Sequence, residues 1–143
     1  MDTVKQLLKT KGQQIWSITP DASVYEAIEQ MNDHGVGALL VMENEKLIGV
    51  ISERDYARKT ILKGRSSKTT PVRDIMTRKV IYISPKQTLE ECMALMTDKR
   101  VRHLPVFVGE KLIGIISIGD VLKAIITDKK FIIDQLESYI TGS

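Results

Sequence analysis

The sequence has little of what disulfide-linked, secreted or membrane-spanning proteins depend on. Cys92 is its only cysteine, so an intrachain disulfide is excluded and a reducing compartment is expected. No apolar run approaches the ~20 residues of a membrane-spanning helix, and the N-terminus does not lead into the apolar stretch of a secretory signal. We therefore expect a cytoplasmic protein without a membrane span.

Catalytic and metal-binding patterns are also missing. No GxxxxGK, GxSxG or HExxH motif occurs, and no nucleophile, base and orienting residue can be assembled from the side chains present. His34 and His103 have no ligand pair at metal spacing, and Cys92 falls on an apolar helix face where a thiol is inert. We predict a protein that is not an enzyme and holds neither a metal nor a catalytic cofactor.

The 143 residues contain an internal duplication. Shifted by 65 positions, 15–62 aligns with 80–127 without a gap, and 17 of 48 positions are identical. The densest block is Glu-Lys-Leu-Ile-Gly, at 45–49 and again at 110–114, and each block leads into a Ser-x-x-Asp sequence ending at Asp55 or Asp120. Units of ~60 residues bury little surface alone, so we expect the two copies to pack together.

Each copy predicts the order strand, helix, strand, strand, helix. The first strands are 15–18 and 80–83, and the helices after them open with capping boxes at Ser23 and Thr88. The strand pairs are 38–42 with 47–51 and 103–108 with 112–116. The second helices run from Ser52 to about Leu62 and from Ser117 to about Thr127. The first helices carry one apolar stripe each, formed by Val24, Ala27, Ile28 and Met31, and by Leu89, Cys92, Met93 and Met96.

The segments outside these elements set the predicted boundaries. We place repeat one at 9–65, a linker at 64–71 and repeat two at 72–128, with 72–76 as a single helical turn leading into repeat two. Gly35 is expected to end the first helix. The tail 129–143 is predicted to form a separate short amphipathic helix through Phe131, Ile132, Leu136 and Ile140.

The ordered, duplicated set of motifs resembles the CBS domain family. Its features here are Leu-Ile-Gly-Val-Ile-Ser-x-x-Asp at 47–55, Leu-Ile-Gly-Ile-Ile-Ser-x-x-Asp at 112–120, Val-x-Asp-Ile-Met-Thr at 72–77 and Arg-His-Leu-Pro-Val at 102–106. The resemblance covers about 5–128. It implies an α+β fold of two β-α-β-β-α repeats, packed as a pseudo-twofold pair with two inter-repeat clefts. In relatives these clefts bind AMP, ADP, ATP, NAD or S-adenosylmethionine, and pairs usually associate into flat dimers.

The two Ser-x-x-Asp sequences have two interpretations. Each is a capping box, with serine as N-cap and an acid at the third helical position. Each aspartate could also accept both hydroxyls of a ribose, at a helix N-terminus that favours phosphate. The residues alone leave both open, and the resemblance favours ribose binding by Asp55 and Asp120.

The two copies differ at the start of their second strands. Repeat one has Gly35, Val36 and Gly37, where repeat two has Arg100, Val101 and Arg102. Glycines let a ligand approach closely and arginines add charge for phosphate, so two unequal clefts are predicted, with phosphate-binding charge crossing between repeats. The candidate nucleotide-binding residues are Thr19, Gly35, Gly37, Ala38, Ser52, Arg54, Asp55, Thr77, Lys79, Ile81, Ser84, Arg100, Val101, Arg102, His103, Pro105, Ser117, Gly119 and Asp120. Lys11 and Gly12 are weaker candidates, because the approach to repeat one departs from the Met-Thr pattern before repeat two.

Three functions are compatible with these features. The first is an adenosine-nucleotide-binding regulatory module, such as an energy sensor that acts on another protein and forms a homodimer. The second is a constitutive protein-interaction or dimerisation module. The third is nucleic-acid binding, which the net charge of +3 and pI near 9.0 permit but which lacks aromatic side chains for base stacking. Its cations would be Arg54, Arg58, Lys59, Lys63, Arg65 and Lys68.

Overall fold

Residues 2–141 are described by the structure, a computed structural model, and they divide into two compact units. We call Ile15–Val80 the repeat-one unit; residues up to Gln14 together with those from Ile81 onward form the repeat-two unit. In chain order the elements are α1 (Val4–Lys11), β1 (Ser17–Ile18), α2 (Val24–His34), β2 (Ala38–Glu43), β3 (Lys46–Ser52), α3 (Glu53–Tyr56), a π-helical turn (Ala57–Ile61), a 3-10 turn (Val72–Asp74), α4 (Leu89–Lys99), β4 (His103–Val108), β5 (Lys111–Ser117) and α5 (Ile118–Thr141).

Each unit contains a small sheet covered by helices, which confirms the predicted α+β class with two repeats. In the repeat-one unit β1 pairs in parallel with β2, and β2 pairs antiparallel with β3. In the repeat-two unit β4 and β5 form an antiparallel pair. Both hairpins carry a bulge at the same place, after Val41 and after Val106. The two hairpins therefore share their backbone geometry as well as their sequence.

The predicted helix starts and apolar stripes are confirmed. Ser23 and Thr88 cap α2 and α4 by accepting from the amides of Glu26 and Glu91. Gly35 ends α2 in the left-handed conformation, where a glycine carries no Cβ penalty. The stripes lie in two cores, with Val24, Ala27 and Met31 in one and Leu89, Cys92 and Met96 in the other.

The leading segments of the two repeats are exchanged. The Val4 and Lys5 amides donate to the Gln87 and Pro85 carbonyls, so α1, which precedes repeat one, packs in the repeat-two unit. The amides of Val72 and Arg73 make the equivalent bonds to Ala22 and Pro20, so the 3-10 turn, which precedes repeat two, packs in the repeat-one unit.

The exchange explains the glycine in each Leu-Ile-Gly block. A Cβ at Gly114 would lie 2.9 Å from the Leu8 Cδ2 atom, and a Cβ at Gly49 would lie 2.8 Å from the Met76 Sδ atom. A Cβ at Gly49 would also lie 2.9 Å from the Thr77 carbonyl oxygen, so glycine is required where this backbone crosses the strand. At Gly114 the contact is with the flexible end of Leu8, which would have to shift. Leu8 of α1 and Met76 after the 3-10 turn therefore occupy equivalent places.

The strand predicted at 80–83 is wrong: this segment makes only an isolated bridge, between Ile83 and Val106. In the repeat-one unit the Leu40 amide donates to the Trp16 carbonyl. The residue of repeat two that aligns with Leu40 is Pro105, which has no N–H to donate. One ladder bond is therefore lost, and the strand shrinks to a single bridge.

Three helical predictions also need correction. The helix predicted from Ser52 to about Leu62 ends as α-helix at Tyr56 and continues as the π-helical turn. The helix predicted to stop at about Thr127 and the separate tail helix form one continuous element, α5, because no glycine or proline interrupts 120–141. α1 was not predicted, although Thr3 and Gln6 form a capping box at its start.

The predicted linker 64–71 is folded against α2. The Val24 amide donates to the Thr70 carbonyl, and the Tyr25 amide donates to the Ser67 carbonyl. The boundaries 9–65 and 72–128 stay predictions. Gly142 and Ser143, the end of the predicted tail, lie outside the described residues. Within 2–141, no helix has both the length and the apolar content that crossing a bilayer requires.

Candidate functional site

The Asp55 carboxylate has four donors within its own unit. Its Oδ2 atom accepts from the Ser52 amide at 3.0 Å and from the Ser52 hydroxyl at 3.1 Å. Its Oδ1 atom accepts from the Thr77 hydroxyl at 3.3 Å and lies 3.0 Å from the Lys59 ammonium. The side chain is only 12% exposed. Both carboxylate oxygens therefore already have partners.

The Asp120 carboxylate is more open. Its Oδ2 atom accepts from the Ser117 amide at 2.8 Å and from the Lys11 ammonium at 2.7 Å, and the side chain is 27% exposed. Lys11 also donates to the Ile115 carbonyl at 2.6 Å. Among the residues that the structure describes, none donates to Oδ1 of Asp120. This oxygen lies at the first turn of α5, where the positive end of a 24-residue helix favours anions.

Lys11 in the repeat-two unit is the counterpart of Thr77 in the repeat-one unit. Thr77 exchanges backbone hydrogen bonds with Val50 and donates its hydroxyl to Asp55. Lys11 reaches the carbonyl of Ile115, 65 positions after Val50, and the carboxylate of Asp120. The exchanged leading segments thus supply one donor to each aspartate, a hydroxyl in one unit and a cation in the other.

The charge of Lys11 affects the titration of Asp120. Burial alone would raise the pKa of the Asp120 carboxyl. The hydrogen bond from Lys11 and the bond from the Ser117 amide outweigh burial and hold the pKa of Asp120 below its ordinary value. Asp120 is therefore ionised throughout the neutral range and is a strong acceptor of hydroxyl donors.

Both aspartates take part in capping boxes with the serine three residues before them, so the capping interpretation is confirmed. Ser52 and Ser117 accept from the amides of Asp55 and Asp120 and donate their own amides to the carboxylates. Capping occupies one oxygen of each carboxylate, Oδ2. It therefore leaves the ribose interpretation open at Asp120, where Oδ1 has no hydrogen-bond partner in the described part of the chain.

The chain in front of each second strand also approaches the caps. The Glu53 amide donates to the Gly37 carbonyl, and the Ile118 amide donates to the Arg102 carbonyl. Ala38 pairs with Ser52 in one hairpin, and His103 pairs with Ser117 in the other. Gly37, Ala38, Arg102 and His103 are therefore next to the capped helix start of their own unit. Whether they contact a ligand stays a prediction.

Arg100 adopts an unusual backbone conformation. It ends α4 in the left-handed region with φ of 56°, at the position where Gly35, with φ of 65°, ends α2. A non-glycine residue in this conformation is strained by about 1 kcal/mol. Its side chain is exposed, as phosphate binding would require.

The remaining candidates have varied surroundings. In the repeat-one unit, Thr19 accepts from the Ala22 amide in a turn, and Arg54 and Lys79 are exposed. In the repeat-two unit, Gly119 is exposed in the first turn of α5, and Ser84 accepts from the Lys86 amide. Ile81 and Val101 are half-buried against the core, and Pro105 is buried in β4.

The sequence analysis gave too little importance to two cations, Lys59 and Lys11. Lys59 appeared only as a member of a basic cluster, yet it binds Asp55 and the Ile75 carbonyl. Lys11 was a weak candidate, yet it is the cation on Asp120. The signal that could have found Lys11 is the capping box from Thr3 to Gln6, because a helix beginning there ends at Lys11. Across residues 2–141, no three His, Cys, Asp or Glu side chains are grouped as a metal site would require.

Comparison with known proteins decides the family. The model of the CBS domain matches residues 4–60 and 72–127. The chain belongs to the CBS domain family. It is 43% identical over 150 residues to the mitochondrial CBS domain-containing protein CBSX3 of Arabidopsis thaliana, covering 98% of this chain and 72% of that protein.

Solved structures agree on the fold of this CBS domain protein. A signal-transduction protein with CBS domains from Burkholderia ambifaria superposes with a TM-score of 0.85 at 53% identity, over 88% of this chain and 95% of that one. The CBS domain pair of protein MJ0100, in complex with 5'-methylthioadenosine and S-adenosyl-L-methionine, superposes with a TM-score of 0.78 at 21% identity. The superposition covers 88% of this chain and 97% of that one. At that identity the second likeness concerns the fold alone.

Proposed function

We propose that this CBS domain pair is a non-catalytic regulatory module that binds adenosine nucleotides, with Asp120 as the stronger ribose acceptor. The observation that carries the proposal is the open Oδ1 atom of Asp120. An ionised carboxylate with one oxygen fixed by a helix cap and the other unpaired can accept a sugar hydroxyl without giving up the cap. The CBS domain pair of MJ0100, which was solved with 5'-methylthioadenosine and S-adenosyl-L-methionine, supports an adenosine-containing ligand.

The Asp55 site is proposed to bind more weakly. Each of its carboxylate oxygens has two donors within hydrogen-bond distance, so a ribose must displace Thr77 or Lys59. The Asp55 side chain is only 12% exposed, and giving up one of its hydrogen bonds costs ~1–3 kcal/mol. We therefore propose that the two sites bind nucleotide with unequal affinity.

Two exposed arginines point to the charge of the ligand. Lys11 lies 2.7 Å from Asp120, so its charge is already balanced by that carboxylate. Arg100 and Arg102, both exposed in the same unit, supply positive charge that attracts phosphate and repels a second cation. We propose a phosphorylated ligand (AMP, ADP, ATP or NAD) in preference to S-adenosylmethionine, whose sulfonium is positive.

Calorimetric titration with AMP, ATP, NAD and S-adenosylmethionine tests this function. Asparagine at either aspartate keeps one acceptor for the cap and removes the negative charge. We expect Asp120→Asn to weaken nucleotide binding at least tenfold and the matched variant Asp55→Asn to weaken it less than threefold. Absence of binding by the folded wild-type protein overturns the nucleotide proposal, and equal losses in the two variants overturn the assignment to Asp120.

Self-association is a second candidate function, favoured by the exposed apolar side of α5. Ile126, Ile133 and Ile140 recur every seven residues and are 62%, 54% and 80% exposed. Leu122 and Leu136 fall on the neighbouring line of the same heptad pattern, with Lys129 between them. Isoleucine at one heptad line and leucine at the other favours pairing of two helices, so the proposed occupant is α5 of a second copy.

Sedimentation velocity tests the pairing of α5. Ile133→Asp places a charge on the apolar side and is expected to convert a dimer to a monomer. Gln135→Glu places a charge on the polar side of the same turn and is expected to leave the dimer unchanged. A monomeric wild-type protein at 100 μM, or a dimer that persists in Ile133→Asp, contradicts association through this face.

A further inference from the structure

A cavity of about 850 Å³ opens in the repeat-two unit, at the end of the hairpin away from Asp120. α1 forms one wall, and the turn at Ser84–Lys86 and the hairpin end at Phe107–Gly109 form the others. Its volume is in the range of small-molecule sites. Ile113 lines the cavity, and Ser117, which caps α5, lies four residues further along β5, at about 13 Å. α1 adjoins both places, because Lys9 lines the cavity and Lys11 binds Asp120.

The lining combines positive charge with apolar surface. Lys5, Lys9 and Lys86 line the cavity, and no aspartate or glutamate does. None of these three ammonium groups forms an ion pair with a residue in the described range. Leu8, Pro85, Phe107, Val108 and Ile113 supply the apolar surface.

In the repeat-one unit, the equivalent surface carries a cation whose charge is neutralised by two carboxylates. There Arg73 donates to Asp21 at 2.9 Å and to Glu43 at 3.4 Å. Arg73 and Lys5 are equivalent, because their amides bond the carbonyls of Pro20 and Pro85, which are 65 positions apart.

The same shift of 65 places Lys86 on Asp21 and Val108 on Glu43. Repeat two therefore has a cation at the equivalent place but neither acid: a second cation stands at one position and an apolar side chain at the other. Three exposed lysines therefore line one cavity that has no carboxylate among its described lining residues, and an anion there is attracted by all three charges.

We propose that this cavity binds an organic anion, a carboxylate or phosphate attached to an apolar body of about one ring. The anionic group contacts Lys5 and Lys86, with Lys9 at the rim, and the body lies on Phe107 and Ile113. Ammonium groups bind carboxylate and phosphate as point charges, and apolar contact selects ligands with a ring or short chain over inorganic ions. This site lies outside the nucleotide site and goes beyond the proposed function.

Phenyl phosphate is the probe, titrated into ¹⁵N-labelled wild-type protein and followed by amide chemical shifts. We expect saturable shifts at Ser84, Gly109 and Ile113. Inorganic phosphate, which lacks the ring, and benzyl alcohol, which lacks the charge, are each expected to bind at least tenfold more weakly. Equal binding of either one overturns the proposed ligand class.

A double variant that copies repeat one tests the site. Lys86→Asp with Val108→Glu restores both acids and is expected to weaken phenyl phosphate binding at least tenfold. Lys123→Asp with Gln135→Glu makes the same change of charge on exposed polar positions of α5, in the same unit, and is expected to bind as wild type. Lys86→Gln alone, expected to weaken binding about threefold, covers the case in which the double variant does not fold.

The variant Asp120→Asn separates this proposal from the nucleotide proposal. It is expected to leave phenyl phosphate binding unchanged. Loss of the shifts in Asp120→Asn, or unchanged binding in the folded Lys86→Asp/Val108→Glu protein, overturns the cavity as an anion site. Neither result decides the nucleotide proposal, which is tested separately by the calorimetric titration.

Discussion

Thr60 is fully buried in the π-helical turn, and its hydroxyl has no hydrogen-bond partner in the described part of the chain. An unpaired buried hydroxyl destabilises the folded state by ~1–3 kcal/mol. Valine has nearly the same shape without the hydroxyl, and the equivalent position in repeat two is Ile125. We expect Thr60→Val to raise the free energy of unfolding by about 1 kcal/mol, measured by urea denaturation.

Thr97 provides the control, because its hydroxyl is exposed and donates to the Met93 carbonyl. Thr97→Val is expected to change stability by less than ~0.5 kcal/mol. A Thr60→Val protein less stable than wild type would show that the hydroxyl has a hydrogen-bond partner in solution.

The ion pair of Lys11 with Asp120 predicts how stability changes with pH. The folded pKa of Asp120 is lowered, so the folded protein binds fewer protons than the unfolded chain near pH ~3.9, where an unfolded aspartate titrates. The stabilisation is therefore fully present above that pH and is lost as the pH falls through the folded pKa. Lys11→Met removes the cation that lowers this pKa.

The measurement is urea denaturation of wild type and Lys11→Met from pH 3 to pH 7. We expect a constant difference in stability from pH 7 to about pH 5, and a difference that narrows as the pH falls further. Lys9→Met, on the same helix, is expected to show no such narrowing. A wild-type advantage that is independent of pH down to pH 3 would contradict the ion pair.

The ends of α2 and α4 form a matched pair of elements. Gly35 and Arg100 have the same left-handed conformation, which glycine adopts freely and arginine does not. We expect Arg100→Gly to stabilise the protein by about 1 kcal/mol and Gly35→Ala to destabilise it by about the same amount. Thermal unfolding followed by circular dichroism measures both.

A role of Arg100 in phosphate binding adds an opposite effect on affinity. The Arg100→Gly protein should be more stable and yet bind nucleotide more weakly, because it has lost a cation. A variant that gains stability without losing affinity would show that the strained arginine has no part in the nucleotide site.

At the level of elements, sequence reasoning succeeded where a local pattern carries the structure. The capping boxes and the stripe spacing predicted α2 and α4, because a side chain that caps an amide three residues away leaves a local signature. The strand at 80–83 was predicted by analogy with repeat one, and Pro105 removed the donor that this strand needed. The candidate site was found in part: Asp55, Asp120 and Thr77 were named, and Lys11 was under-weighted.

The exchange of leading segments could not be predicted from local patterns. Nothing in the spacing of α1 indicates whether it covers repeat one, which follows it directly, or repeat two, which starts some 65 residues later. That choice depends on which strand leaves room for a side chain at its glycine, and both Gly49 and Gly114 do. The donors to both aspartates depend on the exchange, so this part of the site required the structure.

The whole molecule contains one reporter in each unit, which makes the exchange testable. Cys92, the only cysteine, is buried in the core of the repeat-two unit, where burial, with the nearby charge of Glu91, raises the pKa of its thiol to about 11. Trp16, the only tryptophan, is stacked on His34 in the repeat-one unit with ring centroids 3.5 Å apart. Thiol reactivity and tryptophan fluorescence therefore follow the two units separately.

Truncating the equivalent residues Leu8 and Met76 should affect the unit that each one packs in. Leu8→Ala opens a cavity under α1, which costs ~2–5 kcal/mol, so reaction of Cys92 with a thiol reagent is expected to accelerate at least tenfold while the Trp16 emission is retained. Met76→Ala is expected to do the reverse. In sequence, Leu8 lies eight residues before Trp16 and 84 before Cys92, so packing against the nearer repeat would put its effect on Trp16. A Leu8→Ala protein whose Trp16 emission changes while Cys92 stays unreactive would therefore contradict the exchange. Both reporters changing together in both variants would show that the two units unfold as one.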